Sequence, residues 1–178
     1  MKFDFFLIKK LFCLNDVEII YNTMIKYSNP SYTYNSGKVK RSVNYKITDY
    51  EYVKKQLKRL IDKVHETNNL HFGYDLYPIL DCQGIHLHEY LPSESVGYDW
   101  HTDSNLDFAK DTKLTVLLNL SKEKYEGGEL EIFNCDKINF NEPGDVLIFK
   151  SFMPHKVHKI IKGTRKTLTL WMHGPCFK

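Results

Sequence analysis

Two textures divide the hydrophobic pattern of this chain. In the N-terminal part, apolar residues recur at helical spacing: Val17, Ile20, Tyr21 and Met24 in one segment, and Val53, Leu57, Leu60, Ile61 and Val64 in another. Residues three and four apart share one side of a helix, so each set forms a stripe that a core must cover. Lys54, Lys55, Lys58 and Arg59 fall mostly off the second stripe and predict a solvated face. Start signals precede both stripes. Asn15 with Glu18 approximates a capping box and Thr48 with Glu51 matches one fully, which predicts helix starts at those residues. The apolar stretch 3–12, interrupted by Asp4, Lys9 and Lys10, reads as a strand or a helix lead-in that packs on the core.

From about residue 70 the period changes. Short β-type runs at 85–90, 114–120, 129–133, 146–149 and 167–171 are separated by turn signals, among them Gly127-Gly128 and Pro143-Gly144-Asp145. Many short strands predict a sandwich or barrel. Helices first and strands after predict an α+β domain, with the helices on one outer face of the sheets. The expected organisation is a single domain, with helical support over about 1–68 and a β core over about 69–178. Between the helices, segment 28–44 is rich in Ser, Asn, Tyr and Lys and reads as a loop or loose hairpin. It is long for a connection, for which the median is ~4–6 residues. Such loops are ordinarily just solvated. Its Tyr32, Tyr34, Lys38, Lys40 and Arg41 also suit gripping an extended chain, which makes the segment a candidate lid over a substrate.

Composition narrows the picture a little. The 178 residues fit one domain, and 42% hydrophobic with 26% charged residues is ordinary for a soluble globular protein. A net charge of +3 is too small to point to nucleic acid. No apolar run approaches the ~20 residues that span a bilayer, and no secretory layout is visible, so the cytoplasm is the expected compartment and no membrane partner is expected. Cys13, Cys82, Cys135 and Cys176 contain no C-x-x-C spacing, which argues against a zinc knuckle or a redox pair.

The candidate chemistry lies in the C-terminal half. In His101-Thr102-Asp103 the two outer residues share a strand face, so an imidazole and a carboxylate can meet one ion. Alone, this pattern arises often by chance. It gains weight from Pro154-His155, which follows the apolar run 146–149, and from Arg165 ten residues further on. Two histidines and one carboxylate on one face of an octahedral ion leave three positions open. A 2-oxoacid fills two of these and dioxygen the third. The far carboxylate of such a cosubstrate calls for the planar fork of arginine, and Thr167 shares the strand parity of Arg165. His158, three residues after His155, faces the other side of a strand and is expected to point outward or into a core. Trp100 and Thr102, of opposite parity to the ligands, are expected to pack behind the metal.

Several stretches carry a family likeness: Tyr98-Asp-Trp-His-Thr-Asp103, Lys113-Leu-Thr115, Leu120-Ser121, Tyr125-Glu-Gly-Gly-Glu-Leu130, Pro143-Gly-Asp-Val-Leu-Ile-Phe149, Pro154-His155, and Gly163-Thr-Arg165 through Trp171. From about residue 84 to 175 the chain resembles the prolyl-4-hydroxylase-like branch of the 2-oxoglutarate/iron(II) oxygenases, which includes PKHD-type hydroxylases. The resemblance implies a double-stranded β-helix, or jelly roll. It implies Fe(II) held by His101, Asp103 and His155, with 2-oxoglutarate as cosubstrate and O2 as oxidant. Arg165 matches the arginine that binds the far carboxylate, and Tyr90 the tyrosine that contacts the cosubstrate. The implied substrate is a prolyl residue of a peptide or protein, with a free amino acid or a nucleic-acid base as alternatives. Nucleobase demethylases carry a second arginine six residues after the first, where this chain has Trp171. Halogenases of the fold lose the carboxylate ligand, and Asp103 is present. His86 and His88 share the parity of Tyr90, so they either line the pocket with it or form a polar outer face. Outside the family, a zinc hydrolase or a cupin-like binding module would suit the ligand pattern but leaves Arg165 without a task.

Overall fold

The computed structural model describes residues 4–29, 32–33, 44–92, 97–104 and 110–176. In chain order the elements are β1 (Phe5–Ile8), α1 (Leu14–Tyr27), β2 (Tyr32–Thr33), β3 (Asn44–Asp49) and α2 (Tyr50–Thr67), which runs into a π-helical turn (Asn68–Phe72). There follow β4 (Gly84–Tyr90), β5 (Tyr98–His101), β6 (Asp111–Asn119), β7 (Glu126–Gly127), β8 (Leu130–Ile132), β9 (Val146–Lys150), β10 (His155–Val157), β11 (Ile160–Lys162) and β12 (Arg165–Gly174). A seven-stranded sheet has the order β1-β9-β6-β12-β4-β3-β2, and two smaller sheets, β5-β10-β8 and β11-β7, complete the set. All the described pairings are antiparallel. This is the expected double-stranded β-helix, with helices on one outer face.

Strand alternation divides the interior in two. Ile85, Leu87, Leu114, Val116, Leu118, Ile148, Leu168 and Leu170 meet Val17, Ile20, Met24, Val53, Leu57 and Leu60 from the helices in one core. Their neighbours Tyr90, Leu117, Leu147 and Phe149 point the other way and meet Leu130, Ile132, Val157 and Ile160 of the smaller sheets. Both faces of the central strands are therefore covered, which is why β6 reads as a nearly continuous buried run.

Two expectations need correction. The helix starts are shifted. Cys13 is the N-cap of α1, and its N–H donates to the Asp16 carboxylate at 3.2 Å, while Glu18 pairs with Lys122 at 2.9 Å. Asp49 is the N-cap of α2, and Thr48 is a buried strand residue whose hydroxyl donates to the Met24 carbonyl at 3.0 Å. The N-terminal part is also more than helical support. β1 pairs with β9 and β3 with β4, so strands from before residue 68 complete the large sheet. β1 is only four residues long and β3 carries Lys46 and Asp49, so only their partners make them strands. Of segment 28–44, β2 and the pairing of Tyr32 with Tyr45 fit the hairpin alternative. Tyr34, Lys38, Lys40 and Arg41, and with them the lid expectation, lie outside the described residues. Among those described, no helix is long and apolar enough to cross a membrane.

The double coverage sets a stability contrast. Leu118→Ala, at a fully buried position, should cost about 2–5 kcal/mol, while Ile161→Ala, at 69% exposure, should stay within about 0.5 kcal/mol. Urea unfolding midpoints of the two variants measure the difference.

Candidate metal centre and its pocket

Two strand ends bring the predicted ligands together. β10 lies antiparallel to β5 with His155 directly opposite His101, and the two imidazole centroids are 4.2 Å apart. Asp103 sits past the end of β5, where its N–H donates to the Ser151 carbonyl at 2.9 Å. Its position thus comes from an anchor at the end of β9 rather than from shared strand parity with His101. Asp103 Oδ1 is 3.7 Å from His101 Nε2 and Oδ2 is 3.6 Å from His155 Nε2. The three ligand atoms lie within 4.8 Å of one another, within reach of a single ion.

Both imidazoles are oriented for ligation. His101 Nδ1 lies 2.7 Å from the Asp99 carbonyl, and His155 Nδ1 lies 2.9 Å from the Met153 carbonyl. A carbonyl can only accept, so each Nδ1 carries the proton and each Nε2 keeps a lone pair facing the cluster. This outer hydrogen bond is the usual way a metal-binding histidine is fixed. His158 faces away and meets Glu131 at 2.7 Å on the surface. Trp100 and Thr102 also face away, but not into a layer behind the metal. Trp100 is 38% exposed, lying under Lys156 and edge-on to Phe133, and Thr102 is exposed, so among the described residues this side of the small sheet carries only surface side chains.

The triad opens into a cavity of about 220 Å³ whose walls include Tyr90, Arg165, Thr167, His86 and His88. Arg165 is 2% exposed. Its Nη1 donates to Thr167 Oγ1 over a long 3.4 Å, its Cζ lies 5.2 Å from the Tyr90 ring centroid, and its Nη2 is buried without a hydrogen bond. Burying an unsatisfied cationic donor is costly, so this group is suited to an anion arriving from the cavity. A small diacid with one end on Arg165 fits the donor set. His86 and His88 both face inward, which resolves their two alternatives. His88 Nδ1 lies 3.0 Å from Thr169 Oγ1, and His86 stands edge-on to Trp171 with centroids 4.6 Å apart. Burial pushes the His86 pKa down to about 4, against a smaller opposing pull from Asp103.

Several wall residues were not picked out from sequence. Tyr45 and Ile47 reach the cavity from β3, Tyr98 lies against His101, and Trp171 closes one side with its Nε1 buried and unpartnered. A signal existed for Trp171, which shares the parity of Arg165 and Thr167. Nothing local marked Tyr45 before β3 was known to pair with β4. Gly128 also serves the pocket: at φ +69°, an added Cβ would come within 2.2 Å of Ile160 Cδ1 and 3.0 Å of Arg165 Cδ. Of the expected substrate contacts, Tyr32 is placed only as a backbone position in β2, and Tyr34 and Arg41 lie outside the described residues.

Residues 85–173, half of the chain, match the 2OG-Fe(II) oxygenase superfamily. The chain belongs to that superfamily. The superfamily's 2-oxoglutarate- and iron-using character agrees with a cavity that joins a His–Asp–His cluster to a buried arginine. A PKHD-type hydroxylase of a Synechococcus strain is 27% identical over 140 residues, covering 74% of this chain and 59% of that protein. Another PKHD-type hydroxylase, from Crocosphaera subtropica, is 31% identical over 116 residues, covering 60% and 49% respectively. The chain thus spans about half to three-fifths of these relatives. A prolyl-4-hydroxylase crystal structure from Pseudomonas putida shares the fold, with a TM-score of 0.71 at 18% identity over 97% of this chain and 94% of that one.

The depressed His86 pKa carries a linkage consequence. The unfolded chain takes up a proton near the ordinary value of 6.5, whereas folded His86 resists until about pH 4. Stability present above pH 6.5 is therefore lost as pH falls through that window. His86→Gln should flatten the acid-side fall, which urea midpoints of the metal-free protein between pH 7 and pH 4 would show as a smaller drop than in the parent.

Proposed function

We propose that this chain is an Fe(II)- and 2-oxoglutarate-dependent dioxygenase that hydroxylates a C–H bond of a prolyl residue in a peptide or protein. The observation that carries the reading is Arg165. A buried guanidinium with an unpaired donor shares one cavity with a His–Asp–His cluster, and neither a zinc hydrolase nor a passive metal-binding module has a task for it. In this reading His101, Asp103 and His155 hold the iron, which supplies the means of activating O2 when bound. Arg165 and Thr167 receive the far carboxylate of 2-oxoglutarate, and Tyr90 flanks the guanidinium at that end. One oxygen atom enters the substrate as hydroxyl, the other enters succinate, and CO2 leaves.

The protein's own contribution is placement. His101 and His155 keep their protons on Nδ1 and present bare Nε2 atoms. His86 stays uncharged at neutral pH, so it does not compete with Arg165 for the diacid. A cavity of about 220 Å³ is below the roughly 300–1,000 Å³ of pockets that enclose drug-sized ligands. It suits the cosubstrate plus one inserted ring or side chain, with the remainder of a peptide outside. The names of the relatives point to hydroxylation, and that of the Pseudomonas structure to proline.

The direct test is succinate release by protein loaded anaerobically with Fe(II) and then given O2 and 2-oxoglutarate. Proline-containing peptides, free amino acids and oligonucleotides are supplied in parallel. Peptides should stimulate release; stimulation confined to amino acids or oligonucleotides would overturn the substrate assignment, and no 2-oxoglutarate-dependent succinate at all would overturn the reaction. His101→Ala, Asp103→Ala and His155→Ala should each abolish turnover, because each removes one of three protein ligands, while His158→Ala should keep most of it. Loss with His158→Ala and survival of His155→Ala would reverse the ligand assignment.

Arg165→Ala separates cosubstrate binding from metal binding. Charge-assisted hydrogen bonds contribute roughly 1.5–3 kcal/mol each, so the apparent KM for 2-oxoglutarate should rise on the order of tenfold to a hundredfold. Fe(II) affinity should stay near that of the parent. Arg165→Lys should restore only part of the binding, since an ammonium cannot reproduce the fork. Titration of 2-oxoglutarate against each variant provides the check, and an unchanged KM in Arg165→Ala would remove the main support for the cosubstrate.

A further inference from the structure

Asp103 has two carboxylate oxygens at nearly equal distances from the facing histidines, 3.7 Å for Oδ1 to His101 and 3.6 Å for Oδ2 to His155. Distance alone does not choose which oxygen binds a metal, or whether both do. A hydrogen bond beneath the carboxylate makes the two oxygens inequivalent. Thr115 Oγ1 donates to Asp103 Oδ2 at 2.8 Å, and Ser151 Oγ lies 3.1 Å from Thr115 Oγ1. Thr115 and Ser151 are both fully buried. A hydroxyl has one proton and an ionised carboxylate has none. Thr115 therefore spends its proton on Asp103, and Ser151 must be the donor to Thr115. The chain of donors runs one way, Ser151 to Thr115 to Asp103, each bond polarising the next. Ser151 is itself fixed, its N–H donating to the Lys113 carbonyl at 3.1 Å and its carbonyl accepting from Asp103 N–H at 2.9 Å.

We propose that Thr115, backed by Ser151, is a positioning residue that keeps Asp103 a one-oxygen metal ligand. This rests on the metal reading above. With one oxygen from Asp103 and one nitrogen from each histidine, an octahedral ion retains three open positions, two for the 2-oxoacid and one for dioxygen. A carboxylate bound through both oxygens closes one of these. By occupying Oδ2, Thr115 leaves Oδ1 as the ligand and preserves the third position. A plain structural role, a hydroxyl pair tying β6 to the end of β9, would produce the same contacts but no effect on the metal.

Anaerobic titration with Co(II), whose visible spectrum reports coordination number, separates the two roles without any turnover. Thr115→Val removes the hydroxyl and keeps the shape. It should weaken Co(II) and Fe(II) binding by about 10–100-fold, the usual cost of losing an outer-shell partner, and should alter the Co(II) bands. Thr115→Ser should keep the parent's affinity and spectrum, and Ser151→Ala should show a smaller loss than Thr115→Val. Thermal unfolding of the metal-free variants is measured alongside, because a structural role predicts a lower Tm with metal binding unmoved. Parent-like Co(II) affinity and bands in a folded Thr115→Val would overturn the proposal, as would a Thr115→Ser as impaired as Thr115→Val. If Thr115→Val does not fold, Ser151→Ala decides, and parent-like binding there would sink the relay. Failure of the parent itself to bind either ion would overturn the metal reading, and this inference with it.

Discussion

The antiparallel pairing of β10 with β5 is the constraint on which the site depends. It sets His155 opposite His101, two residues 54 positions apart in the chain, with their rings 4.2 Å from each other. Side chains alternate faces along a strand, so slipping this register by one residue would turn His155 outward and Lys156 inward. The second partner of β10 opposes such a slip. β8 pairs His155 with Ile132 and Val157 with Leu130, and all four of these residues are buried. A one-residue shift would carry Val157 out of the second core and bring a lysine into it. The His–Asp–His cluster is thus held in register by hydrophobic burial rather than by its own chemistry.

β12 connects the two cores and distributes the functional groups between them. Leu168, Leu170 and Met172 face the helices, while Arg165, Thr167, Thr169 and Trp171 face the cavity. Because β4 and β6 flank it, every inward residue of β12 has inward neighbours: Arg165 meets Tyr90, Thr167 meets His88 and Asn119, Thr169 meets His86 and Leu117. The helices contribute nothing to the chemistry directly. Their stripes seal the far side of the sheet, and that seal allows an arginine to sit 2% exposed on the near side.

Electrostatics inside the cavity is uneven. Arg165 is cationic and lacks a full set of partners, Asp103 is held by Thr115, and the burial that raises the cost of charge keeps His86 neutral. An anion is favoured at one end and a cation at the other. The Pseudomonas putida prolyl-4-hydroxylase structure shares this framework at 18% identity. Sheets tolerate that divergence because they are set by alternation and register rather than by particular side chains.

By itself, the sequence determined what depends on local periodicity and residue chemistry. The two amphipathic stripes, the five principal strands, the opposite facing of His155 and His158 and the shared face of Arg165 and Thr167 all follow from spacings of two, three and four residues. Helix starts were misplaced because several residues near each start can cap, and tertiary demands chose among them: Thr48 was claimed by the Met24 carbonyl and left Asp49 as the cap. β1 and β3 were not legible as parts of the large sheet, since a strand as short as β1 or as polar as β3 is defined by its partner and not by its own pattern. The same holds for the pocket. Tyr45 is in the wall because β3 pairs with β4, Trp100 lies on the surface under Lys156, and Asp103 is placed by a carbonyl 48 residues away in sequence. Short-range patterns name the chemistry a chain can attempt. Which groups face one another is decided by strand partners distant in sequence, and only the folded chain brings those together.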